Sequence, residues 1–216
     1  MWASERFRAA NLVCFPPFQL SKIYVLMQKK ILKVVVTGPE STGKTAMANA
    51  LAENLETLWS PEFARYYLAH LGRPYERNDL KNIGLGQKKW EEWYAHQIIE
   101  SPNPQILISD TDWTVLHIWE LYRYENETPH SSLLSSHFLM EWQKGYGEPS
   151  NADLYLLCAP DFPWQPDPLR EHPEERDTLF SMYENLLRER AANFITLSGE
   201  HESRQQNALA AIRELF

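Results

Sequence analysis

A chain of 216 residues that is 44% hydrophobic can fill one core well and is short for two domains. Its formal net charge of -8 argues against a nucleic-acid partner, since holding phosphates along a strand calls for a concentrated basic face. No uninterrupted apolar run reaches the about 18 residues a membrane-spanning helix needs. Cys14 and Cys158 stand far apart without metal-ligand spacing, in keeping with a cytoplasmic setting.

Residues 1–26 differ from the rest. Arg6 and Arg8 precede a mildly apolar stretch, but Pro16, Pro17, Gln19 and Lys22 interrupt it before it could form a signal-peptide core. Met27 leads directly into the first strand-like run, so residues 1–26 are expected to be an N-terminal extension without fixed packing and 27–216 the domain.

Residues 31–45, ILKVVVTGPESTGKT, join a β-branched apolar run to the pattern GxxxxGK[ST]. With average glycine usage near 7%, the bare pattern arises by chance about once in a hundred chains of this length. Context makes chance a poor account: residues 31–37 read as a buried parallel strand, and KTAMANALAENL places Met47, Ala50, Leu51 and Leu55 on one helical stripe. In such a strand-loop-helix unit the backbone amides of Gly38, Pro39, Glu40, Ser41, Thr42, Gly43, Lys44 and Thr45 are expected to enclose the ATP phosphates, excepting proline, which has no N–H. Lys44 would reach the β- and γ-phosphates and Thr45 would ligate Mg2+.

Further along, strand-like and helix-like segments alternate, the pattern of an α/β protein with a parallel sheet. Residues 58–60 form a short strand candidate, 62–71 a helix, and 79–100 a long amphipathic helix whose front half Gly84 and Gly86 should weaken. QILIS at 105–109 is a buried strand ending in Asp110-Thr111-Asp112, and 153–158 is another. Residues 159–176 pack prolines among charges and read as a mobile lid loop; a helix over 174–192, a strand over 193–197 and a closing helix over 203–216 follow. The expected fold is therefore a three-layer α/β P-loop NTPase fold, with a parallel sheet of about five strands, helices on both faces and a lid.

Asp110 ends a strand expected beside the phosphate loop, where its carboxylate would hold Mg2+ directly or through water. Asp112 could share that site, bind substrate hydroxyls, or simply cap the next helix. Glu62 follows the second strand at the sheet edge where α/β proteins bind ligands, and suits a group that orients or deprotonates an acceptor hydroxyl; pairing with Arg65 is its plainer role. Arg170 and Arg176, flanking His172, could neutralise the transferring phosphoryl group from the lid, although charged loops are more often merely solvated. Trp164, between Pro163 and Pro166, needs either the protein body or a flat ligand to bury against. Trp113 faces either the pocket or the core.

GPESTGKT, PEFAR at 61–65, LGRPY at 71–75, Gly86-Gln87, SDTD at 109–112 and DLYLLCAPDFPWQPDPLRE with the later Arg176 together resemble the ribosylnicotinamide kinase domain of the NadR family, over residues 30–216. The resemblance implies transfer of phosphate from ATP-Mg2+ to the ribose 5'-hydroxyl of nicotinamide riboside, a small-molecule nucleoside, giving nicotinamide mononucleotide for NAD synthesis. Members with two or three functions carry nucleotidyltransferase and sometimes DNA-binding regions ahead of the kinase; a stand-alone form is expected here. Some relatives place a tryptophan directly before the glutamate, where this chain has Pro61, with Trp59 two residues earlier. The alternatives are a kinase for another nucleoside and a regulatory ATPase acting through a partner.

Overall fold

The computed structural model describes residues 30–101, 104–124, 137–146, 149, 151–167, 170 and 173–216. The expected extension over residues 1–26 and His172 lie outside these. Five strands, β1 (Leu32–Thr37), β2 (Leu58–Ser60), β3 (Ile106–Asp110), β4 (Leu154–Cys158) and β5 (Phe194–Leu197), form one sheet in the order β2-β3-β1-β4-β5. Every pairing is parallel. Among the described residues the helices are α1 (Lys44–Asn54), α2 (Phe63–Leu71), α3 (Arg77–Glu100), α4 (Trp113–Tyr124), α5 (His137–Tyr146), α6 (Arg176–Glu189) and α7 (His201–Arg213).

Successive residues of a strand face opposite sides, so a strand covered on both faces must be apolar at every position. β1 shows this directly. Val34 and Val36 pack with α1 and α7 through Met47, Ala48, Leu51, Ala208 and Ile212, whereas Val35 packs with α4 and α6 through Val115, Ile118, Leu186 and Leu187. On α1 the buried stripe is Met47, Ala48, Leu51 and Ala52, with Leu55 packed against its edge; Ala50, expected on the stripe, is only half-buried.

The sequence marks the helix over 113–124 only as the one Asp112 would cap, without an extent of its own. Eight of its residues, Trp113 to Ile118 with Glu120 and Leu121, are buried, the polar Thr114, His117 and Glu120 among them. The long helix also runs unbroken through Gly84 and Gly86, starting at Arg77. Both glycines serve packing. A Cβ on Gly86 would lie 2.0 Å from the Phe63 ring, and one on Gly84 would lie 2.7 Å from Trp142. Gly86→Ala should thus destabilise the protein by about 1–3 kcal/mol, despite the gain of about 1 kcal/mol in helix propensity, as read by urea unfolding.

The start of α3 rests on Asp79, which is buried. Glu76 and Asp79 form a reciprocal capping box, and Arg73 grips the same carboxylate at 2.8 and 3.1 Å while the Tyr67 hydroxyl donates to it at 2.8 Å. The Arg73 hydrogen bond chiefly holds the Asp79 pKa down, from 3.8 to about 2. The stability from this depressed pKa is present above about 3.8 and lost as pH falls through about 2. Asp79→Asn should therefore lower Tm at neutral pH, and thermal melts should show the gap to the native chain closing between those two values.

Candidate active site

Parallel pairing brings the carboxyl ends of the strands to one edge, where a phosphate loop can meet residues from distant sequence. Val36 is in register with Asp110, and Ser60 with Ser109. The loop leaves β1 after Thr37. Gly38, at φ +131, could carry no side chain without its Cβ coming 2.7 Å from the Cys158 carbonyl, and Gly43 sits at φ +83 just before α1. Within the loop the Thr42 hydroxyl donates to the Pro39 carbonyl at 2.9 Å, and Lys44 Nζ donates to the same oxygen at 2.6 Å.

Thr45 Oγ1 donates to Asp110 Oδ2 at 2.6 Å. Asp110 is buried, and among the described residues its Oδ1 has no hydrogen-bond partner. Burial above all, then the neighbouring charge of Glu62, pushes Asp110 up to about 6.

Glu62 and Lys44 share one cavity of about 890 Å3, lined by the whole phosphate loop from Gly38 to Thr45. Glu62 immediately precedes α2 and does not cap it. Gln87 does part of that work instead, its Oε1 accepting the Phe63 N–H at 2.8 Å, while Gly86 leaves room for the Phe63 ring. The Gly86-Gln87 pair thereby fixes the backbone from which Glu62 projects. Glu62 also pairs with Arg65 at 3.3 Å, and Arg65 reaches on to Asp167 in the 159–176 loop at 3.1 Å.

The same loop meets the phosphate loop directly. Arg170 Nη1 lies 3.5 Å from Ser41 Oγ and donates to the Gln165 carbonyl at 2.6 Å; Arg176, at the start of α6, donates to the Phe162 carbonyl at 2.8 Å and approaches the Ser41 carbonyl at 3.4 Å. Arg170 lines the cavity.

Three candidates for acceptor contact take the other role the sequence left open to each. Asp112 is buried at the start of α4, where its Oδ1 accepts from the Thr114 N–H at 2.9 Å and hydroxyl at 2.6 Å, which makes it a helix cap. Its other oxygen accepts from the Tyr155 hydroxyl at 3.1 Å. Trp113 is buried in a cluster with Ala64, Leu80, Ile83 and Leu116, beneath the Arg190 guanidinium. Trp164 donates its indole N–H to Glu40 at 3.1 Å, so the loop body rather than a ligand takes its polar edge. The cavity is lined instead by Trp59, Tyr75, Trp119, Tyr122, Arg123 and Tyr183. Trp119 and Tyr122 went unseen because they belong to no local motif, whereas LGRPY and Gly86-Gln87 were visible only as motifs.

A five-stranded parallel sheet with this loop at its carboxyl edge defines a P-loop α/β fold. A family model described as an AAA domain, AAA_28, matches residues 33–204, and the chain belongs to that family. Among solved structures it is similar to NadR protein in complex with NR, with TM-score 0.68 and 22% identity over 85% of this chain and 51% of that one. NadR protein in complex with NAD and AMP-PNP gives 0.64 and 22%, over 85% and 49%. Deoxyadenosine kinase from M. mycoides with products dCMP and a flexible dCDP bound gives 0.53 and 11%, over 85% and 100%. The chain spans about half the length of the NadR proteins it matches. No curated protein sequence matches it.

Asp110 carries a consequence for stability. Because its folded pKa of about 6 exceeds the ordinary 3.8, the protonated carboxyl favours folding below 3.8 and that contribution is lost as pH rises through about 6. Asp110→Asn should raise the Tm of the metal-free protein at neutral pH by a few degrees. Scanning calorimetry in the presence of EDTA measures it.

Proposed function

We propose that this chain transfers the γ-phosphoryl group of ATP to a hydroxyl of a nucleoside, with the ribose 5'-hydroxyl of nicotinamide riboside as the first acceptor. The products would be ADP and nicotinamide mononucleotide, for NAD synthesis. The observation that carries the reading is one cavity lined at once by the phosphate loop, Glu62 and the rings of Tyr75, Trp119, Tyr122 and Tyr183. Triphosphate, acceptor hydroxyl and flat base each have a matching surface in it. The likeness in fold to NadR protein in complex with NR supports the choice of acceptor.

In this reading the loop amides and Lys44 hold the β- and γ-phosphates. The oxygens of Thr45 and Asp110 fit Mg2+, a hard cation that is usually held by one or two protein oxygens together with phosphate and water. The buried, unpartnered Oδ1 of Asp110 is a donor already stripped of competitors. Mg2+, when bound, would supply neutralisation of charge on the phosphates. Glu62 accepts the hydrogen bond of the acceptor hydroxyl, aims its oxygen at the γ-phosphorus, and takes the proton as the new P–O bond forms and the bond to the ADP oxygen breaks. Arg65, 3.3 Å away, keeps Glu62 oriented. Arg170 and Arg176, drawn in with the loop, offset charge on the moving phosphoryl group and keep water from intercepting it. Tyr75 and Trp119, whose ring centroids lie 5.9 Å apart, give the base an apolar surface.

With ATP-Mg2+ and nicotinamide riboside, the purified chain should yield ADP and the mononucleotide by mass spectrometry. Glu62→Gln should lower kcat by about 10^2–10^4 while ATP binding persists. Turnover with deoxynucleosides but not with nicotinamide riboside would move the acceptor assignment; slow ATP hydrolysis unaffected by Glu62→Gln would remove the kinase reading.

A further inference from the structure

Arg204 lies on the last helix, 1% exposed, and took no part in the chemistry above. A buried guanidinium carries five donors in a fixed fork and is tolerated only where acceptors meet it. Here they come from separate segments. Nη1 donates to the Thr42 carbonyl at 3.1 Å, Nη2 to the Ala159 carbonyl and to an Asp161 carboxylate oxygen, both at 3.0 Å, and Nε to the Gly199 carbonyl at 2.8 Å. The guanidinium carbon also lies 4.2 Å from the centre of the Phe162 ring, and that ring would meet a Cβ on Gly43 at 3.4 Å.

The contact with Thr42 has a directional consequence. The Thr42 carbonyl and the Gly43 N–H belong to one planar trans peptide, in which they point to opposite sides. Pulling the carbonyl toward the buried fork therefore turns the amide away from it. Gly43 itself lines the cavity at the phosphate loop.

We propose that Arg204 is a positioning residue that sets the Thr42–Gly43 peptide so that its N–H is aimed at a bound triphosphate, and that it ties this setting to the root of the 159–176 loop through Asp161 and Phe162. The inference rests on the nucleotide half of the proposed reading and is independent of which acceptor is used. A lysine keeps the charge but has no fork, so it cannot hold Thr42, Ala159, Asp161 and Gly199 together.

Arg204→Lys and Arg204→Gln should each weaken ATP-Mg2+ binding about 10- to 100-fold, the equivalent of one hydrogen bond made with a charged group. The nicotinamide riboside KM should stay within about twofold, a selectivity that loosening of the whole fold would not produce. In 1H–15N spectra of the native chain, ATP-Mg2+ should shift the Gly43 amide strongly, and the variants should lose that shift while other loop amides still respond. The proposal is overturned if a folded variant binds ATP as the native chain does. A Gly43 amide that ignores nucleotide in the native chain overturns it too, even if neither variant folds. Arg204-dependent ATP binding without any phosphorylated nucleoside would leave the proposal standing and remove the acceptor reading.

Discussion

Thr45 and Asp110 stand 65 residues apart in sequence, and a 2.6 Å hydrogen bond joins them. That contact demands that β1 and β3 be neighbours, parallel and in one register, with Val36 beside Asp110. A slip of one residue would reverse which face each side chain of β3 presents and carry the carboxylate away from the loop. The apolar coat on both faces of β1 is what prevents the slip, because Val34 and Val36 belong to one core and Val35 to the other. The same register carries β2 to its place on the far side of β3, so that Glu62, two residues past Ser60, reaches the cavity. Packing of the sheet thus determines the spacing of the two carboxylates.

Holding carboxylates near one another in a partly dry site is costly, and the molecule places cations to offset it. Below the site, Lys33 bonds Glu91 at 2.6 Å and lies 3.9 Å from Asp112. Burial opposes the Lys33 charge, yet the Glu91 and Asp112 carboxylates together hold its pKa above the ordinary value. The Ser109 hydroxyl, beside Asp110, lies within hydrogen-bond reach of Glu91 at 2.9 Å and of the Thr111 carbonyl at 2.8 Å. Thr111 takes φ +69 with its N–H bonded to the Val36 carbonyl at 3.0 Å. The turn after β3 is therefore held from beneath by side chains, and Asp110 keeps a buried oxygen without a partner among the described residues. Asp112 is consumed by this framework, which is why the nearer-looking rival to Glu62 does not reach the cavity.

The donor half of the site was legible in the sequence because its signals are local. A glycine forced by φ or by a carbonyl, a lysine and a threonine at fixed spacing, and an apolar strand ahead of them can all be read without knowing the fold. Strand assignments fared similarly, since both-face burial makes continuous apolar runs. The acceptor half was less legible because its walls come from Trp119 and Tyr122 of α4, which belong to no local motif, and from Tyr75, which lies outside any regular element. Trp113 stood out as the aromatic just past Asp112, and Trp164 as one set between Pro163 and Pro166 on a polar loop. Their neighbours in space, Leu80 and Ile83 for the first and Glu40 for the second, were not adjacent in sequence.

Gly84 and Gly86 show how a local rule can mislead while still pointing at function. Helix propensity counts each as a weakness of about 1 kcal/mol, yet the helix needs Gly86 bare because Phe63 occupies the space. One residue on, Gln87 accepts the Phe63 N–H and extends Nε2 toward Ser60 and Ser109 at 3.4 and 3.5 Å, between the two strands that deliver Glu62 and Asp110. An alanine at 86 would push on Phe63, and through its backbone on the residue just before it. The intrinsic loss in helix propensity is accepted at the point where the long helix touches both carboxylate-bearing strands, and the positional accuracy of Glu62 follows from that exchange.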